Sequence, residues 1–227
     1  MAGSYRRLSP EDRRAELLEL GSEVFGARPY DEVRLDEIAQ QAGISRALMY
    51  HYFRDKREFF AAVVFAEGQR MYDRVSAMGE DVRSFTDDGG QSLFDWVRDG
   101  VLVYLRHDET HPYSTRTIYL EMGRGESFLR AIEDIDYHRV VDLIMTVLDR
   151  AMGAAFDTQV RGAVQATVFS WVGFAGEFCS QRVVDPSLDA DQLAGTCAHM
   201  LLDALGRLPG FPADLITADA RRSASGA

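Results

Sequence analysis

Apolar positions recur at helical spacing along nearly the whole chain. Leu17, Leu20 and Val24, with their neighbours Leu18, Gly21 and Phe25, form two adjacent rows on one helix face. Ser9-Pro10-Glu11-Asp12 predicts where that helix starts, because it offers a serine cap, proline at the first helical position and acids near the positive end of the dipole. The helix is expected to end near Gly26, ahead of Pro29. A short second helix is predicted over about Leu35 to Gln41, with Ile38 and Ala39 inward. Ala42-Gly43-Ile44 reads as a tight turn in which Gly43 takes a positive φ, and Ser45 caps a third short helix through about Tyr52. Asp55-Lys56-Arg57-Glu58 has the spacing of a capping box. It opens a long helix whose inward row is Phe59, Val63, Ala66, Arg70 (through its stem) or Met71, and Val75. Beyond Asp87-Asp88-Gly89-Gly90, helices are expected at about 92–107, 113–122, 127–152, 157–183 and 189–208. No strand pattern, repeat or low-complexity block intervenes, so the predicted class is all-α with about nine helices.

Composition supports an ordinary globular chain. Its 227 residues are 46% hydrophobic and 27% charged, enough apolar material for a sizeable core. No apolar run reaches the roughly 18 residues a bilayer span needs. Met1 to Arg14 is too polar for a secretory signal, so a cytoplasmic location without membrane association is expected. Cys179 and Cys197 are too few for a disulfide framework or a cysteine-rich zinc site, and read as small buried hydrophobes rather than a redox switch.

The net charge of −11 argues against a nucleic-acid partner until it is divided along the chain. Residues 1–56 carry nine Lys/Arg and ten Asp/Glu, leaving sixteen and twenty-six for the remainder. The acidity therefore lies C-terminal, and a near-neutral N-terminal segment with clustered arginines can still present a basic face to phosphate. Lys56 is the single lysine.

Residues 36–53 have the spacing of a helix-turn-helix: Ala39 is small enough for close approach, and Gly43 permits the sharp turn. Ile44 and Met49 plug the shared core, and the second helix exposes Arg46, Ala47, Leu48, Tyr50 and His51, a surface that fits a major groove. The stretch Arg13 to Phe60 resembles the DNA-binding domain of the TetR (tetracycline-repressor-like) family of transcriptional regulators. Phe25, Ile38-Ala39, Ala42-Gly43-Ile44-Ser45, Tyr50-His51-Tyr52-Phe53 and Lys56 carry the resemblance.

That resemblance implies roles. Arg46 and His51 reach base edges or phosphates, Tyr50 touches the backbone, and Ser45 lies near a phosphate. Leu48, where the family often has a small or hydroxylated residue, meets a thymine methyl. Lys56 grips a phosphate at the start of the following helix. Arg34 stands where the family often has a Ser or Thr cap. It leaves capping to Asp31 or a main-chain group and is itself a candidate phosphate contact. The Tyr5-Arg6-Arg7 arm is either a minor-groove contact or a solvated terminus. The implied organisation is a helix-turn-helix domain at 1–56, a helical ligand-binding and dimerisation domain at 57–208, and a disordered tail at 209–227.

The 157–183 helix is apolar on nearly every side, which requires burial on more than one face. With the next helix, the resemblance implies, it builds a four-helix interface between two copies, and a two-fold dimer reads an inverted-repeat operator. Trp96, Tyr104, Tyr119, Phe169, Trp171, Phe174 and Phe178 are candidates for lining an effector pocket, with Glu177 as its polar member and Glu121 and Arg116 as weaker ones. A largely apolar or aromatic small molecule is the expected effector, and no cofactor or metal is expected. His107 and His111 have helical metal spacing, but Asp108 and Pro112 favour a solvated turn. His138 and His199 read as packing or surface residues. The expected activity is that of a homodimeric, ligand-responsive regulator of duplex DNA, a repressor, and not an enzyme. The alternatives are a regulator whose C-terminal domain binds a protein, or an all-helical enzyme, for which no nucleophile–base pair or phosphate loop is present.

Overall fold

The structure is a computed structural model that describes residues 8–80, 82, 92–117, 127–152 and 158–212. Among the described residues all regular structure is helical. The elements are α1 (Pro10–Ala27), α2 (Leu35–Gln41), α3 (Arg46–Tyr52), α4 (Lys56–Gly79), α5 (Leu93–Thr110), α6 (Pro112–Arg116), α7 (Ser127–Met152), α8 (Thr158–Val184) and α9 (Ala190–Gly206), with a 3-10 turn at Tyr30–Glu32. The all-α expectation holds. No helix among these residues is long and apolar enough to cross a membrane.

Local signals set most boundaries. The Asp12 N–H donates to Ser9 Oγ at 3.0 Å, with Pro10 in the first turn. Arg28 then turns extended ahead of Pro29 and ends α1. At α4 the Glu58 N–H donates to Asp55 Oδ1 at 2.8 Å. Glu58 Oε2 reaches back to the Arg54 N–H at 2.9 Å, one residue earlier than a standard capping box.

The Glu58 N–H first, then the Arg54 guanidinium and the Arg57 N–H, hold the Asp55 carboxyl below the usual aspartate range. The cap's stabilisation is therefore fully present above the ordinary aspartate value and fades as pH falls through the depressed one. Asp55→Ala is expected to cost about 1 kcal/mol at neutral pH. Thermal melts should show the deficit shrinking below the aspartate range.

One boundary differs from expectation. Residues His107 to Thr110 continue α5 instead of forming a turn, and only His111 (φ −130°, ψ 52°) leaves the helix. Pro112 is the cause. Its ring disfavours helical geometry in the residue before it, and its missing N–H is harmless as the first residue of α6. Polar composition alone did not break the helix, and the last turn is tied down by Arg182, 2.6 Å from Glu109.

The chain divides into two compact units, Met1–Gln69 with Thr110–Ile132, and Arg70–Glu109 with Glu133–Ala227. The first is built on Leu17, Phe25, Ile38, Met49, Phe53, Phe59 and Phe60, all at most 1% exposed. Phe60, absent from the expected inward row, packs beside Phe59. The Phe60 ring lies 4.9 Å from Phe25 and 5.1 Å from Tyr30 between centroids. In the second unit, Val164, Val168 and Trp171 of α8 pack with Cys197, Leu201 and Leu205 of α9 and with α7 through Leu148. The opposite side of α8, with Ala163, Ala166, Phe169, Gly173 and Phe174, is exposed in the single chain.

Candidate nucleic-acid interface

The helix-turn-helix geometry starts from the turn. The Ala42 N–H donates to the Ile38 carbonyl and the Ile44 N–H to the Ala39 carbonyl, both at 2.9 Å. Closing the chain this way puts Gly43 at φ 65°, where a Cβ would clash with the backbone. Ser45 follows in extended geometry, and its Oγ accepts from the Leu48 N–H at 3.2 Å, capping α3. Below the turn, Met49 is fully buried among Leu35, Ile38, Ala39 and Phe53 and anchors α3 to α2. Helical periodicity then directs Arg46, Ala47, Leu48, Tyr50 and His51 outward, and all five are exposed.

Arg46 is held rather than loose. Its guanidinium lies 3.2 Å from Asp36 Oδ2 of α2 and 5.4 Å from the Tyr50 ring centroid. Its side chain nevertheless remains 70% exposed. The other oxygen of Asp36, Oδ1, is buried without a hydrogen-bond partner. Asp36 was missed by sequence reasoning. The only signal was an acid in the first turn of α2, and nothing local says which cation it faces.

Lys56 opens α4, as expected, and its ammonium also has partners within the unit. Its ammonium donates to the Tyr30 carbonyl at 2.9 Å and sits 4.3 Å from the Tyr30 ring centroid, half-buried. It therefore fastens the 3-10 turn to the start of α4, which is compatible with a phosphate contact only for its remaining N–H donors. Arg34 is exposed and gives α2 no side-chain cap, and Asp31 does not replace it. The Arg34 carbonyl instead accepts from the Glu37 N–H at 3.1 Å. The 5–7 arm lies outside the described residues.

In the second unit the expected pocket residues separate. The Trp96 indole N–H donates to the Val75 carbonyl at 3.2 Å, and that of Trp171 to the Cys197 carbonyl at 2.9 Å, so both indoles are tied into the core. Phe174 and Phe178 stack at 5.3 Å, the first exposed and the second half-buried. Phe169 is exposed against the Tyr137 ring, and Glu177 is exposed. Tyr119, Glu121 and the Arg116 side chain lie outside the described residues. His138 and His199 are exposed, the latter 4.7 Å from the Phe94 ring.

Tyr104 belongs to a polar cluster that the sequence did not single out. Burial, with Asp136 nearby, pushes its phenol up to about 12. Burial also raises the Asp136 carboxyl. Arg139 lies 3.3 Å from Asp136 Oδ1 and 4.1 Å above the Tyr72 ring. The Asp136–Arg139 spacing of three was the available signal, but exposed helix pairs have the same spacing. Among the described residues no group of three His, Cys, Asp or Glu is placed to hold a metal ion.

A short helix anchored from beneath, a glycine turn and an exposed second helix form a helix-turn-helix. Residues 17–63 match the family model described as "Bacterial regulatory proteins, tetR family". Over that segment the chain is similar to the DNA-binding region of TetR-family transcriptional regulators. It is 40% identical over 90 residues to the HTH-type transcriptional activator FasR of Mycolicibacterium smegmatis, covering 38% of this chain and 39% of FasR. It is 25% identical over 163 residues to an uncharacterized HTH-type transcriptional regulator of Mycobacterium tuberculosis, covering 70% and 63%. The aligned segments thus span less than two thirds of these relatives. The crystal structure of a tetR-family transcriptional regulator from Streptomyces coelicolor shares the fold, with TM-score 0.68, 21% identity and coverage of 96% and 90%.

Proposed function

We propose that the chain is a homodimeric regulator that binds an inverted-repeat operator through α3 and is released by a small molecule bound in its C-terminal domain, residues 57–208. The observation that carries this reading is the exposed set Arg46, Ala47, Leu48, Tyr50 and His51 above a fully buried Met49. Such a helix is fixed in orientation and offers a cation, a phenol, an imidazole and an apolar tip to base edges and phosphates. Ser45 accepts its capping bond through oxygen, so its O–H can donate to a phosphate. The exposed apolar side of α8, with Met200 of α9 also 44% exposed, supports dimerisation. The effector is expected near Tyr72, Tyr104, Asp136 and Arg139, with a polar group facing this cluster.

Release requires that the effector favour the arrangement unable to bind DNA. A hundredfold preference supplies about 2.7 kcal/mol of coupling. Selection of bound fragments from random duplex DNA at near-physiological salt tests the reading. Recovery of an inverted repeat supports a sequence-specific dimer, and a sequence-blind pool overturns it. Repression follows if the bound dimer excludes polymerase. The similarity to FasR, named an activator, makes activation the second reading, and transcription in vitro from a promoter carrying the selected operator decides between them.

Lys56→Ala separates two roles. If Lys56 contacts a phosphate, the slope of log affinity against log salt falls by about 0.9. If it serves only the turn, the slope stays and stability drops by about 1 kcal/mol for the lost bond to the Tyr30 carbonyl.

A further inference from the structure

The two cysteines, eighteen residues apart in sequence, meet across the α8–α9 hairpin with their sulfurs 4.0 Å apart. We propose that Cys179 and Cys197 form a reversible, peroxide-sensitive dithiol site that closes to an intramolecular disulfide. The hairpin is already held in register around them. Arg182 Nε donates to the Leu188 carbonyl at 2.8 Å, Asp189 caps α9 through the Gln192 N–H at 2.7 Å, and the Trp171 indole donates to the carbonyl of Cys197 itself. Bond formation needs the sulfurs to approach to about 2.05 Å, a movement of side-chain rotation and small helix adjustment rather than refolding. Cys197 is fully buried, whereas Cys179 is half-buried and gives a small neutral oxidant access. The two sulfurs stand within hydrogen-bonding reach of each other, and either thiol can be the donor.

The chemistry balances with hydrogen peroxide as the oxidant. One thiolate attacks the peroxide oxygen, the O–O bond breaks, and with one proton the products are a sulfenic acid and water. The second thiol then attacks the sulfenic sulfur, the S–S bond forms, and the hydroxyl leaves as a second water. Two thiols are oxidised by two electrons and one peroxide is reduced. A thiol reductant reverses the step by exchange.

The test uses the reduced full-length chain, treated with hydrogen peroxide, quenched with catalase, then denatured and alkylated with a maleimide. The expected result is an intact mass lower by two hydrogens, no maleimide taken up, and a peptide carrying Cys179 linked to one carrying Cys197. Dithiothreitol restores both thiols. The same exposure of the chain unfolded in urea provides the positive control for the reagent. Two alkylatable thiols surviving in the folded chain under conditions that oxidise the unfolded one overturn the proposal. So do links formed only between chains. In Cys179→Ser the two-hydrogen loss should vanish. A reversible change in Trp171 emission should accompany oxidation in the wild type and be absent in that variant, with the wild-type mapping standing whether or not the variant folds.

Discussion

Phe59→Ala is expected to lower the stability of the N-terminal unit by about 3–5 kcal/mol, the largest effect of any single substitution considered. The ring is fully buried, with centroids 4.7 Å from Phe53 and 5.8 Å from Phe25. Its far edge fills a notch that exists because residue 21 of α1 has no side chain. A Cβ there would stand 2.6 Å from Phe59 Cζ and 2.6 Å from Val63 Cγ2. Removing the ring empties both its own volume and the notch, so little can collapse into the space, and the cost should fall in the upper part of the range.

Gly21→Ala alone should cost about 1–3 kcal/mol, because the added methyl has to displace a ring fixed on all sides. In the Phe59→Ala background half of that clash is gone, so the double variant should be more stable than the sum of the single effects predicts. Urea unfolding followed by circular dichroism measures all three. Both tryptophans, Trp96 and Trp171, lie in the other unit, so their emission reports that unit separately. Additivity within a few tenths of a kcal/mol would falsify the ring-in-notch account.

The second large effect is on DNA. Arg46→Ala is expected to weaken binding to a selected operator by about tenfold to a hundredfold, the 1–3 kcal/mol typical of a good base contact. Folding stability should hardly change, since an ion pair this exposed is worth at most about 1 kcal/mol. The loss should be much smaller on random duplex, because base contacts specify whereas phosphate contacts position.

Asp36→Asn divides the role of the arginine further. It keeps the cation but removes its partner across the turn and a negative charge beside the duplex. Affinity for random DNA should therefore rise slightly while discrimination between operator and random sequence falls. Fluorescence anisotropy on both duplexes at two salt concentrations reads each quantity. Equal losses on both duplexes for Arg46→Ala would mean that this side chain touches phosphate alone.

Much of the N-terminal unit was legible because its signals are local. The Ser9 cap, the Gly43 turn, the Ser45 cap and the Asp55 cap each act within three or four residues and appear at the expected places. The exposed face of α3 followed from the same periodicity once Met49 was taken as its anchor. Where a local signal misled, a stronger local one prevailed. The polar run at His107 to Thr110 stayed helical because Pro112 fixes the break one residue before itself. The C-terminal unit was less legible, since aromatic residues on amphipathic helices serve core, pocket and interface alike. Trp96 and Trp171 proved to have their indole N–H groups bonded to main-chain carbonyls.

By itself, then, the sequence determined the helices, their caps, the turn between α2 and α3 and which residues that turn exposes, because all of these depend on dihedral preferences and hydrogen bonds a few residues apart. Only the tertiary structure decided which distant groups meet: Lys56 with the Tyr30 carbonyl, Arg46 with Asp36, Arg139 with the Tyr72 ring, and Cys179 with Cys197. Those meetings depend on how helices are set against one another. Helix position is fixed by the summed burial of many apolar side chains, which carries no signature at the charged or sulfur-bearing residue it happens to bring into contact.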